Sequence, residues 1–257
     1  MAKVLITGGC SFSELSGAHY GTWPNHLSAN LPDYEHIATG LGAQGNGLIS
    51  RRIIYAVTEA LKTTAPKDIL VGIMWSGPER HDFFNEDINI DHKERLIDCW
   101  VENPTGFVKD AEKHWIIISP SWKNDHARQY YANFHSYVGG LIYTYEHVLR
   151  IQWFLKLHGI RYFMTAYTAE VFYNEKIADP DIVYTYEATD LNVKHLYEQI
   201  DFDQFLPVRG EHDWCKTESG IPFTDSNHGH NGHPNKEQHR AFTDRIIIPF
   251  LRDKQYI

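Results

Sequence analysis

Two short segments, far apart in the chain, carry the side chains whose types can do chemistry. Near the start, Val4-Leu5-Ile6-Thr7 runs into Gly8-Gly9-Cys10-Ser11-Phe12-Ser13, an apolar stretch that stops at glycines and delivers a serine. Near the end, Asp225-Ser226-Asn227-His228-Gly229-His230-Asn231-Gly232-His233-Pro234-Asn235 sets an acid and three histidines ahead of a helical pattern. A serine becomes a nucleophile when a base takes its proton, and an imidazole base works best when a third group orients it. The two segments together point to acyl transfer. A serine after two glycines is a weak sign by itself, because serine also caps helices. Its place directly after a first, buried strand says more. In a parallel sheet that place is the open end of the strand, where backbone N–H groups can stabilise an oxyanion.

The base can be read in two ways. His228 has Asp225 three residues before it, while His233 is tied by Pro234-Asn235 to the helix that follows. We assign the base to His233 and its orientation to Asp225, reaching across the loop, with His228 or His230 as the alternative base or orienting group. A backbone carbonyl could also orient His233. The same cluster has zinc-ligand types, but Gly232 stands where a metallo-hydrolase signature would carry an acid, so no metal ligand is assigned. Cys10 is expected to pack beneath the loop rather than compete as a nucleophile. His239 is expected on the surface of the closing helix.

The elements that must position these groups follow from periodicity. Val4 to Ile6 reads as a buried strand and Thr22 to Leu31 as a short helix. Tyr34 to Ala38 reads as a second strand, followed by a glycine-rich loop from Gly40 to Gly47. Leu48 to Leu61 has helical spacing, and Pro66-Lys67-Asp68 precedes an apolar strand over Ile69 to Trp75. This β-α-β-α-β rhythm predicts an α/β fold with a parallel sheet covered by helices. Residues 78–124 break the rhythm and read as an insertion or lid. Tyr137 to Leu157 predicts a long helix ending at His158-Gly159, Ile160 to Thr165 a strand, Leu191 to Tyr197 a short helix, and Pro234 to Leu251 the closing helix with Pro234 near its first turn. No repeat or linker divides residues 1–257, which predicts a single domain.

Bulk composition narrows the partners. The formal charge of −9, from 33 acids against 24 bases, argues against nucleic acid, whose phosphates need a basic surface. Three cysteines, Cys10, Cys99 and Cys215, suit a reducing compartment rather than a disulfide framework. No signal-like or membrane-spanning apolar run is seen. The expectation from composition is a cytoplasmic protein with no membrane partner; a small-molecule or carbohydrate ester as substrate is implied by a family resemblance rather than by composition.

These landmarks, taken in order, resemble the SGNH (GDSL-like) hydrolase superfamily. Gly9-Cys10-Ser11-Phe12-Ser13 resembles its first block, with Cys10 where an Asp is usual. Gly42 to Asn46 resembles the second block, Val71 to Arg80 falls at the third, and His233-Pro234-Asn235 resembles the last, usually written Asp-x-x-His-Pro. The resemblance implies a flavodoxin-like three-layer α/β/α sandwich, no cofactor, and hydrolysis of esters such as O-acetyl or acyl groups on carbohydrates or lipids. It makes Ser11 the nucleophile and His233 the base. The oxyanion donors it implies are the N–H groups of Ser11 and Gly45, with Gly42 as the alternative glycine. The third-block Asn of the family is missing from Met74-Trp75-Ser76-Gly77-Pro78-Glu79-Arg80. Ser76, a nearby backbone N–H or Arg80 is left to replace it. Arg80 can equally bind an anionic substrate or simply be solvated, and Asn46, Trp75 and Arg80 are assigned to substrate contact. The missing Asn and the displaced acid leave two further readings open: a silent carbohydrate- or partner-binding domain, and a metal-dependent hydrolase using His228, His230 and His233.

Overall fold

The elements around Ser11 hang on β1 (Lys3–Gly8), a strand buried from Val4 onward. Strands flank both its edges and helices cover both its faces, so the sequence reads as continuous apolar residues rather than an alternation. The computed structural model describes residues 3–15, 21–84, 115–120, 125–172, 191–208, 210–223 and 232–257. Within them β1 pairs in parallel with β2 (Tyr34–Ala38) on one side and with β3 (Ile69–Trp75) on the other. β3 pairs in parallel with β6 (Arg161–Ala166), giving the order β2-β1-β3-β6. A single parallel bridge from Met164 to Phe205 extends that edge.

Strand parity divides the core in two, because successive side chains point to opposite faces. Val4, Ile6, Val71, Ile73, Trp75, Tyr162 and Met164 pack with α2 (Asn46–Ala60), α4 (Tyr137–Leu157) and α5 (Leu191–Tyr197). Leu5, Leu70, Met74 and Phe163 pack on the other face with α1 (Trp23–Asn30), α6 (Glu211–Thr217) and the C-terminal helices. Gly72 belongs to that second face. A Cβ there would lie 2.6 Å from the Phe163 ring and 3.2 Å from Trp23, so the missing side chain is what lets these two aromatics meet. Helices therefore cover both faces of a parallel sheet. Among the described residues, no helix is long and apolar enough to cross a membrane.

Several boundaries differ from the sequence reading. α2 begins at Asn46 rather than Leu48, with Gly45 as its N-cap. The closing segment does not start at Pro234. Asn235 caps α7 (Lys236–Phe242), a π-helical turn follows over Thr243–Ile247, and α8 runs over Ile248–Asp253. α6 and α3 (Asp125–Asn133) were not expected; both are short. In the expected insertion, β4 (His81–Phe84) and β5 (Trp115–Ile118) pair antiparallel, and residues 85–114 and 121–124 lie outside the described residues. Asp82 of β4 ties this small sheet to the main one. Its buried carboxylate accepts from the N–H groups of Gly45 at 2.9 Å and Leu48 at 3.0 Å, at the start of α2.

The fold buries imidazoles as well. His36 on β2 lies 2.8 Å from Thr7 Oγ1, and His147 on α4 packs edge-on against Tyr143. Burial lowers both to about 4. Unfolded histidine titrates near 6.5, so between these values the unfolded chain binds more protons and stability must rise with pH. Asp82, raised by burial to about 6, acts in the opposite sense, and the two imidazoles outweigh it. Urea denaturation should therefore show lower stability at pH 5 than at pH 7, by about 1–2 kcal/mol per buried imidazole before that offset. The His147→Leu variant should show a smaller drop.

Candidate active site

Strand order fixes where the chemistry can sit. From β1 the chain runs to β2 on one side, then crosses to β3 on the other, so α1 and α2 fall on opposite faces. Loops at the carboxyl ends of β1 and β3 thus part at a topological switch point, where open α/β sheets form their crevices. Ser11 follows β1 and the Ser76–Arg80 stretch follows β3.

The turn after β1 is shaped by Gly9, whose φ of 154° disfavours other residues. A Cβ at Gly9 would collide with Ser13 Oγ and lie 2.8 Å from the Met74 carbonyl oxygen. The chain then closes a 3-10 turn over Ser11–Ser13, with the Ser13 N–H donating to Cys10 O at 2.8 Å. Trp23 Nε1 donates to Ser13 Oγ at 2.9 Å and locks the turn against α1. Ser11 is left half-buried, and its own N–H, at the start of the turn, is not used by it.

His233 meets this serine. Ser11 Oγ and His233 Nε2 are 2.8 Å apart across 222 residues of sequence. With the ring proton on Nδ1, Nε2 accepts from the hydroxyl, as a general base must. The ring rests on Phe12, 4.9 Å between centroids. Two residues on, Asn235 Oδ1 accepts from the Gln238 N–H and Gln238 Oε1 accepts from the Asn235 N–H, each at 2.9 Å. This capping box fastens the start of α7 just beyond the histidine. Asp225, His228 and His230 lie outside the described residues.

The glycine-rich loop is pinned close by, but not all of it faces the serine. Leu41 N–H and Gln44 Nε2 both donate to Gly9 O. Ala43, next to Gly42, holds a φ of 63°, a left-handed value that costs an alanine about 1 kcal/mol or more. The Gly45 N–H, expected to serve an oxyanion, donates to Asp82 instead. Asn46 was expected at the substrate, yet it is buried and fully engaged. Its Nδ2 donates to Ser76 O at 3.0 Å and to Thr144 Oγ1 at 2.9 Å, and its Oδ1 accepts from the Ser76 N–H at 2.8 Å. It clamps the loop after β3 to α2 and α4. Trp75 does not contact substrate either. Strand parity turns it into the core, fully buried, with its Nε1 on Met164 Sδ. Ser76, one residue further, has its N–H spent on Asn46, while its Oγ is buried with no hydrogen-bond partner.

Arg80 lies against this centre, in contact with the Cys10 thiol and with its Cζ 5.5 Å from the Tyr167 ring centroid. Cys10 is fully buried, as a packed side chain should be. His239 is not on the helix surface. It is buried, one helical turn before the equally buried Phe242, and its Nδ1 lies 2.7 Å from Glu211 Oε1. Burial raises the Glu211 carboxyl, against the pull of His239. Phe12 touches the rings of His233, His212, His239 and Tyr167 together. Only the i, i+3 relation of His239 to Phe242 could have revealed any of this from sequence.

No protein-family model, curated protein or solved structure matches the chain. The geometry alone therefore carries the functional argument. For Asn46, that geometry predicts a structural role. Asn46→Ala strips partners from the buried Ser76 N–H, the Ser76 carbonyl and Thr144, and should cost roughly 2–4 kcal/mol in urea denaturation. Unchanged stability would rule out the clamp.

Proposed function

We propose that the protein is a serine hydrolase of the SGNH type that cleaves carboxylic esters. The observation that carries this reading is the 2.8 Å contact between Ser11 Oγ and His233 Nε2 at the end of β1. The strand order β2-β1-β3-β6 supports it, since it follows the flavodoxin-like order with the serine at the switch point. His233 takes the Ser11 proton as Oγ attacks the ester carbonyl carbon. The tetrahedral oxyanion collapses, the C–O bond to the alcohol breaks, and His233 returns the proton to the leaving oxygen. Water, deprotonated by His233, then attacks the acyl-enzyme, and the carboxylic acid leaves as Ser11 regains its proton. In this reading the oxyanion donors are the Ser11 N–H and Ser76 Oγ, which stands in the stretch where the family places an Asn. Gly42 is the remaining candidate in the glycine loop.

A silent binding domain is the competing reading. It is favoured by the engagement of the Gly45 and Ser76 N–H groups within the protein, which leaves fewer donors than the family uses. A fluorophosphonate probe separates the two. It should label Ser11 in the wild type and nothing in Ser11→Ala or in heat-denatured protein; absence of labelling in folded protein would favour the binding domain.

For an activated acetyl ester, Ser11→Ala and His233→Ala should each lower kcat by at least about 10³-fold, because the two act as a unit. The wild-type kcat/KM should rise with pH through an apparent pKa of about 6–7, as a neutral histidine base requires. A flat profile between pH 5 and 8 in an active enzyme would count against His233.

Ser76→Ala tests the oxyanion donor and separates function from folding. Removing a buried hydroxyl that has no partner should leave stability unchanged or slightly raised. Removing an oxyanion donor should cost about 10²-fold in kcat. Equal activity in Ser76→Ala would remove that hydroxyl from the mechanism.

A further inference from the structure

Arg80 combines burial, charge and unused donors beside the nucleophile. Its Nε and Nη1 are closed off from solvent and have no hydrogen-bond acceptor, although the side chain as a whole keeps 16% of its surface. The nearest carboxylate oxygen, Glu79 Oε1, is 3.8 Å from Nε, too long for a hydrogen bond. Its other neighbours are the Cys10 thiol and the Tyr167 ring. Tyr167 packs edge-on against Phe12 at 5.6 Å, and Phe12 carries His233. Arg80 and His233 therefore share one aromatic floor, with Ser11 next in sequence to the Cys10 that Arg80 touches.

A guanidinium has five donors in a planar fork. Cys10, Tyr167 and Glu79 favour the charged form of Arg80, yet they leave its Nε and Nη1 without an acceptor, and an unmade hydrogen bond at a buried charged donor is costly. The group that supplies the acceptors is a planar anion on the fork. A carboxylate fits better than a phosphate. Glu79 already places one negative charge beside the fork, and the chain carries a net charge of −9, so a dianion would meet repulsion from both.

We propose that Arg80 is a preformed carboxylate site, and that the substrate is an ester bearing a carboxylate near the scissile bond. The word substrate rests on the serine hydrolase reading; the anion site does not. The test uses a matched pair, meta-acetoxybenzoate and its neutral counterpart meta-acetoxybenzamide. In the non-hydrolysing Ser11→Ala protein, calorimetric titration should show the benzoate binding at least about 10-fold more tightly than the benzamide, and Arg80→Gln in that background should erase the difference. In the catalytically intact protein, the ratio of kcat/KM for benzoate over benzamide should fall by about 10-fold or more in Arg80→Gln. Arg80→Lys, which keeps the charge but loses the fork, should fall between. If both esters lose rate equally in Arg80→Gln and the ratio holds, Arg80 serves the oxyanion and the carboxylate site is overturned. Equal binding of the two compounds to Ser11→Ala overturns it as well. If Arg80-dependent binding persists but the wild type hydrolyses neither ester and resists the fluorophosphonate, the anion site stands and the hydrolase reading falls. Should Arg80→Gln not fold, the Arg80→Lys ratio and the Ser11→Ala titration decide the matter by themselves.

Discussion

The structure depends on the burial of β1 between β2 and β3. A strand paired on both edges and covered on both faces cannot shift register without turning its apolar side chains into the wrong layer. That constraint fixes the end of β1, and with it the turn at Gly9 and the position of Ser11. It also sends α1 and α2 to opposite faces, the arrangement in which open α/β sheets form their crevices at the strand ends. A rigid element thus delivers Ser11 to this one place.

Polar groups around the crevice fall into two sets. In the first, every donor has found an acceptor inside the protein. Asp82 gathers the N–H groups that open α2, Asn46 bridges three elements, and Gln44 fastens the glycine loop to Gly9. These bonds hold the loops in position and for that reason are unavailable to a substrate. In the second set, Ser76 Oγ and Arg80 Nε and Nη1 are buried with nothing to bond. Native proteins leave few such atoms. Others occur elsewhere in the molecule, but these three stand in the short stretch after β3, on the side of the sheet where Ser11 meets His233.

Behind the site lies a layer of rings. Phe12 joins His233, His212, His239 and Tyr167, and the buried Glu211–His239 pair sits beneath it. An imidazole supported on a packed ring and followed within two residues by a capping box has little room to wander. Since a misplacement of about 1 Å can cost a base 10²-fold, such support matters as much as the base itself.

The sequence by itself determined the four strands of the main sheet and their parallel class, because near-continuous apolar runs between glycines and prolines admit few other readings; the antiparallel pair β4 and β5, inside the stretch read as an insertion, was not legible. β2 and β3 fall where expected to the residue, as does α4. It also singled out Ser11 and His233, since residue chemistry and the helix signal at Pro234-Asn235 are local properties. Which neighbours serve them was not legible. Asn46, Trp75 and Gly45 have the right chemistry and nearly the right positions for a site, yet strand parity buries one and hydrogen bonds to distant residues consume the others. Likewise His239 reads as a surface residue until α6 brings Glu211 to it. Only the tertiary structure decides whether a donor is spent or free, because its partner is set by the packing of elements far apart in the chain.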